Sequence, residues 1–105
     1  MDKEQWKGSV EFIVLSLIRK KDMYGFMMIN TVNKIREAYQ LSEGTLYSIL
    51  KRLERKGYIE SYWGDETQGG RRKYYRITEE GKDLHHNKMQ SWIDINNIIS
   101  TLNEE

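Results

Sequence analysis

The sequence contains no cysteine and no proline. Without thiols there is no disulfide, no thiolate nucleophile, no iron–sulfur cluster and no cysteine-ligated zinc. Without proline there is no cis-prolyl turn and no proline-kinked helix. No stretch approaches the roughly 18 uncharged apolar residues that a transmembrane helix needs. The first residues, Met1 to Lys7, are charged, and the apolar run behind them contains Glu11, which makes a poor signal peptide and leaves the cytoplasm as the expected location. What is present is the composition of one polar globular domain: 105 residues, 38% hydrophobic and 31% charged. Trp, Tyr, Ile and Leu are too frequent for a disordered chain. A domain this small without disulfides needs another source of stability, and self-association is a common one.

The net charge of +1 conceals an uneven distribution. Residues 1–33 carry +1, residues 34–76 carry ten basic against six acidic groups, and residues 77–105 carry two basic against six acidic. A basic middle followed by an acidic tail points to a polyanion partner for the middle segment.

Hydrophobic spacing predicts a first helix over 6–20, with Trp6, Val10, Ile13 and Leu17 as its stripe and Phe12, Val14 and Ile18 beside it. Asp22 is placed to cap a second helix whose stripe is Tyr24, Met28, Val32, Ile35 and Tyr39. The next start signal is stronger. Ser42 is an N-cap candidate, Leu41 and Leu46 can form a hydrophobic staple, and Glu43 complements the helix dipole. Leu46, Ile49, Leu50 and Leu53 are the expected buried stripe of this third helix, and Gly57 its stop. Tyr58–Trp63 and Arg72–Ile77 alternate and are rich in aromatic and β-branched residues, so they read as a hairpin around the loop 64–70. Thr78 caps a last helix with a stripe of Leu84, Met89, Trp92, Ile95, Ile99 and Leu102, widened by Ile93 and Ile98. At about 1.5 Å per residue that helix is roughly 35 Å long, more than the domain's own core requires, and its surplus apolar face predicts a partner chain.

The order helix, helix, helix, strand, loop, strand, helix is a helix-turn-helix with a wing. The expected architecture is mainly α: three helices and a two-stranded wing over 1–78, then a long dimerisation helix over 79–105 that forms one compact unit with the first helix. A helix of this kind enters the major groove with its N-terminal residues at base edges, and a basic hairpin reaches phosphates or the minor groove.

Several motifs fall in this order. Tyr24-Gly25 precedes Leu41-Ser42-Glu43-Gly44-Thr45-Leu46-Tyr47, and Arg52-Leu53-Glu54 and Gly57-Tyr58-Ile59 follow. The wing ends in Arg71-Arg72-Lys73-Tyr74-Tyr75-Arg76-Ile77-Thr78-Glu79-Glu80-Gly81, and Trp92 lies in the last helix. From about residue 7 to residue 100 the chain resembles the PadR family of bacterial transcriptional regulators. Its single C-terminal helix is similar to the small subfamily that includes the lactococcal multidrug-responsive repressor. Ser48 stands where the family often has proline.

The resemblance implies a homodimeric winged-helix repressor that binds double-stranded DNA. The residues expected at DNA are Tyr24, Ser42, Gly44, Thr45, Tyr47, Ser48, Lys51 and Arg52, with Arg71, Arg72 and Lys73 on the wing. Val10, Met89, Trp92, Ile95, Ile99 and Leu102 are expected at the dimer interface. In the multidrug-responsive relatives a tryptophan at the place of Trp92 stacks on flat aromatic ligands. Trp92, with Trp6 beside it, is therefore a candidate site for a small aromatic effector.

Each of these readings has a plainer counterpart. Trp92 can be interface packing, Lys51 can pair with Glu54, and Glu60, Tyr62 and Tyr74 can be cross-strand partners. His85 and His86 are adjacent on a helix, so their side chains diverge by about 100° and make a poor metal pair. Neither a metal nor any other cofactor is expected. No enzyme motif is present: no glycine-rich phosphate loop and no histidine in a triad context. The competing reading is a winged-helix protein-interaction module that does not recognise DNA sequence.

Overall fold

The computed structural model describes residues 3–35, 40–65 and 70–104, apart from the side chains of Lys3 and Lys7. Tyr39 of the expected second stripe and the centre of the loop, 66–69, lie outside the described residues. Helix α1 runs Lys3–Ile18, strand β1 Met23–Tyr24, α2 Gly25–Ile35 and α3 Glu43–Arg55. They are followed by β2 Ile59–Trp63, β3 Lys73–Ile77 and α4 Glu79–Leu102. The mainly helical, winged architecture agrees with the sequence reading.

The buried line of α1 is Val10, Val14, Leu15 and Ile18, while Trp6, Ile13 and Leu17 are only partly covered. The inward face is therefore turned away from the stripe expected around Trp6, Ile13 and Leu17. Val10 is fully buried in the chain's own core. This corrects its expected place at a dimer interface: it has no surface left for a partner.

Strand β1 was not legible in the sequence. Met23 and Tyr24 pair antiparallel with Tyr75 and Tyr74, giving a three-stranded sheet in the order β1-β3-β2. Asp22 consequently does not cap α2. It accepts a hydrogen bond from the Tyr62 hydroxyl, and Tyr24 lies on a strand rather than in a helical stripe. Helix α2 starts at Gly25, a position with room only for glycine: a Cβ there would collide with the Tyr47 hydroxyl.

The end of α3 is a Schellman motif. The Gly57 amide donates to the Glu54 carbonyl and the Tyr58 amide to Leu53, both at 3.0 Å. Gly57 has φ +83°, a left-handed backbone that suits glycine. The Thr78 hydroxyl then ties the two helices together. It accepts from the Gly81 amide at 3.1 Å as the N-cap of α4 and donates to the Gly57 carbonyl at 2.7 Å. In the hairpin, Tyr62 faces Tyr74 and Glu60 faces Arg76, as expected of cross-strand partners. The core gathers Leu41, Leu46, Leu50 and Leu53 of the helix-turn-helix, Met28 and Val32 of α2, and Ile59, Tyr75 and Ile77 of the sheet.

Candidate nucleic-acid interface

Helix α3 is held by its buried face, and this determines what it presents outward. Leu46, Leu50 and Leu53 are buried and Ile49 partly so. At about 100° per residue the opposite face is then Gly44, Ser48, Lys51 and Arg55, and all four are exposed. At the start of the helix Ser42 has the extended backbone of an N-cap, and its Oγ accepts from the Thr45 amide at 3.3 Å. The same hydroxyl donates to Thr45 Oγ1 at 3.0 Å. The turn before it is fixed from α2, where Asn33 Oδ1 accepts from the Leu41 amide at 2.9 Å. Asn33 carries no sequence signal, because its partner is a backbone amide eight residues away.

Tyr47 and Arg52 flank this face on opposite sides. Tyr47 leans toward α2, with its ring against Gly25. Arg52 turns toward α1, where its guanidinium pairs with Glu11. Arg55 lies nearer the centre of the outward face than Arg52. Glu54, the alternative partner considered for Lys51, accepts from the Ser61 hydroxyl at 2.5 Å.

The wing cations are stacked on aromatic rings. The Arg72 guanidinium sits 4.6 Å from the Tyr24 ring centroid, and that of Arg71 5.6 Å from Trp63. Lys73 Nζ lies 5.9 Å from the Tyr75 ring. Tyr24 in turn meets Tyr74 edge-on at 5.5 Å, and Tyr74 stacks on Tyr62 at 5.7 Å. Tyr62 completes the series through its bond to Asp22, which also raises the Tyr62 phenol above its usual pKa. Tyr24 is thus the floor under Arg72. The series of rings gives the wing root a fixed shape and leaves the cationic edges outward.

A family model for PadR-like transcriptional regulators matches residues 14–87. The chain belongs to the PadR-like family. A transcriptional regulator from Clostridium thermocellum is 38% identical, with a TM-score of 0.86 over 99% of both chains. A PadR family regulator from hypervirulent Clostridium difficile is 39% identical, with a TM-score of 0.82 over 91% of this chain and 99% of that one. An uncharacterized protein of Lysinibacillus sphaericus is 39% identical over 99 residues, 93% of this chain and 91% of that protein.

This PadR-like chain is accordingly a winged-helix, DNA-binding regulator of transcription, and its family acts as regulators rather than enzymes. Among the described residues no helix is long and apolar enough to cross a membrane. Trp6 and Trp92 do come together: both line a cleft of about 760 Å³ between α1, α2 and α4, along with Phe12, Ile13, Leu17 and Ile35. The second half of α4 is bare. Met89, Trp92, Ile95, Ile99 and Leu102 are all exposed, Leu102 to 79%. Ile93 and Ile98 extend the same uncovered surface. His85 packs instead on α1, with its ring 5.4 Å from Phe12 and Nε2 3.2 Å from Ser16 Oγ.

Proposed function

We propose that this PadR-like protein is a cytoplasmic homodimeric repressor that binds an inverted-repeat operator and responds to a small ligand. The observation that carries the reading is the outward face of α3. Gly44 and Ser48 present little bulk where a helix must approach base edges, and Lys51 and Arg55 follow on the same side. Within 1–78, Ser42, Thr45 and Ser48 would read or approach bases. Tyr47, Lys51, Arg71, Arg72 and Lys73 would hold phosphates or the minor groove. Tyr24 and Arg52 act one step back, Tyr24 beneath Arg72 and Arg52 beside Glu11.

Helix α4, within 79–105, would supply the second half of the assembly. A continuous apolar face of this length on a soluble chain calls for a partner, and a second copy meets it with the same residues about a two-fold axis. Met89, Trp92, Ile95, Ile99 and Leu102 would form that seam. The cleft between Trp6 and Trp92 opens beside it and suits a flat aromatic effector, as in the small subfamily with a single C-terminal helix. Footprinting tests the core of the proposal. The expected pattern is two protected half-sites related by two-fold symmetry, about 10 or 20 bp apart. Protection of a single asymmetric site, or none on any genomic fragment, overturns it.

A further inference from the structure

On the other side of Ser16 from the tryptophan cleft lies a second hollow, of about 740 Å³, between the end of α1 and the start of α4. Its lining is Ser16 and Arg19 from the α1 side, and Lys82, His85, His86 and Met89 from α4. Four of these six side chains are cationic or can become so, and among the described residues no carboxylate lines the hollow. We propose that this hollow is a binding site for a phosphate group, either the free ion or the phosphoryl end of a small metabolite.

Like charges gathered around one concavity repel one another. Lys82 has an acidic partner, Glu79, at 3.2 Å on the exposed side of α4. Arg19 has no ion pair among the described residues. The His85 pKa lies below the usual histidine value, because of burial first and then the charges of Arg19 and His86. The donors come from two elements of the chain. Arg19 offers a fork from the end of α1, Lys82 an ammonium from the first turn of α4, and His86 an imidazole one turn on. The Ser16 hydroxyl gives its hydrogen to the Phe12 carbonyl at 2.8 Å, so His85 Nε2 is the donor across the 3.2 Å contact to Ser16. That bond fixes the His85 ring at the wall of the hollow. A tetrahedral dianion accepts several such donors at once and cancels the repulsion among them, which a single carboxylate does less completely.

The test is independent of DNA binding. The histidine ring resonances of the full-length protein are followed by NMR, with His85 assigned by its absence in His85→Gln. Orthophosphate or glycerol 3-phosphate is added at constant ionic strength against chloride. Saturable shifts of both histidine rings are expected, together with a rise in the His85 pKa, because a bound dianion reverses the local field. Arg19→Gln should weaken binding about tenfold or more, the scale of one charge-assisted hydrogen bond. Lys20→Gln removes the same charge one residue away and outside the hollow, so it should leave affinity within about twofold. The tighter of the two phosphates identifies the source. Shifts that do not saturate, or equal losses in the Arg19 and Lys20 variants, would reduce the hollow to diffuse positive potential and overturn the proposal.

Discussion

Arg52 of the outward-facing helix α3 and Glu11 of α1 form an ion pair, and the other carboxylate oxygen of Glu11 holds Lys88 of α4 at 3.6 Å. One acid residue thus bridges three helices, and its side chain is only 20% exposed. The bridge ties α3, the helix proposed to face DNA, to the helix with the uncovered apolar face, through the helix that walls the tryptophan cleft. Glu11→Gln should cost about 1 kcal/mol of stability, the scale of one partly exposed charged hydrogen bond. It should also release Arg52, so the salt slope of DNA binding should steepen by up to about one per subunit. Chemical denaturation and a salt titration read the two effects. An unchanged slope would mean that Arg52 remains against α1 when DNA is bound.

Phosphate-holding and base-reading residues separate by their salt dependence. Arg72→Ala should weaken operator and random DNA alike and lower the log–log salt slope by about one per subunit. Thr45→Ala and Ser48→Ala remove no charge, so the slope should stay. The gap between operator and random DNA should narrow instead, by on the order of 1–3 kcal/mol per lost base contact. Tyr24→Leu should reproduce part of the Arg72→Ala effect by removing the ring beneath the guanidinium. If Arg72→Ala abolished discrimination while the slope held, the wing would be the reading element.

Assembly is tested on α4. The protein should sediment as a dimer at micromolar concentration, and Ile95→Asp should dissociate it by placing an unpaired carboxylate in the seam. Ile95 is 57% exposed in the single chain, so the substitution should leave the fold of the subunit intact by circular dichroism. A wild-type protein that sediments as a stable 12.6 kDa monomer would rule the dimer out.

Gly25 and Tyr47 make a steric pair between α2 and α3. Gly25→Ala forces the ring away and should cost about 1–3 kcal/mol. Tyr47→Leu in the same chain should recover much of that loss, because the clash is with the ring and its hydroxyl. Thermal denaturation of the two single variants and the double variant measures the coupling, and strictly additive losses would show that the ring moves aside freely.

The depressed His85 pKa fixes the sign of one pH effect. The unfolded chain takes up this proton more readily than the folded one, so stability is complete above about pH 6.5 and declines as pH falls below it. His85→Gln should flatten that part of the stability profile. A decline of the same steepness in the variant would assign it to another group.

Local chemistry made much of this fold legible. Ser42 and Thr78 cap the helices they were expected to cap, and Gly57 ends α3, because each signal needs only atoms within a turn of itself. The hairpin was legible from the alternation of its two limbs, and Tyr62 stands opposite Tyr74 as a cross-strand partner. Asp22 was misread for the complementary reason. Its neighbours Met23 and Tyr24 are claimed by Tyr75 and Tyr74, some fifty residues later in the chain, and nothing in the segment itself announces that pairing.

The sequence by itself determined the order of the four helices and the hairpin, the apolar stripe of α3, and the concentration of positive charge between residues 34 and 76. Those follow from periodicity and composition, which are properties of the chain before it folds. Only the tertiary structure decided the direction each side chain takes. It buried Val10, turned Arg52 to Glu11, put Tyr24 beneath Arg72 and left Arg55 outward. It also gathered Arg19, Lys82, His85 and His86 around one hollow, although Arg19 and Lys82 stand more than sixty residues apart. The physical reason is that the rotation of a helix is set by its total packing against all neighbours. A few tens of degrees, invisible in a pattern of spacings, decide whether a cation meets a carboxylate, a ring or solvent.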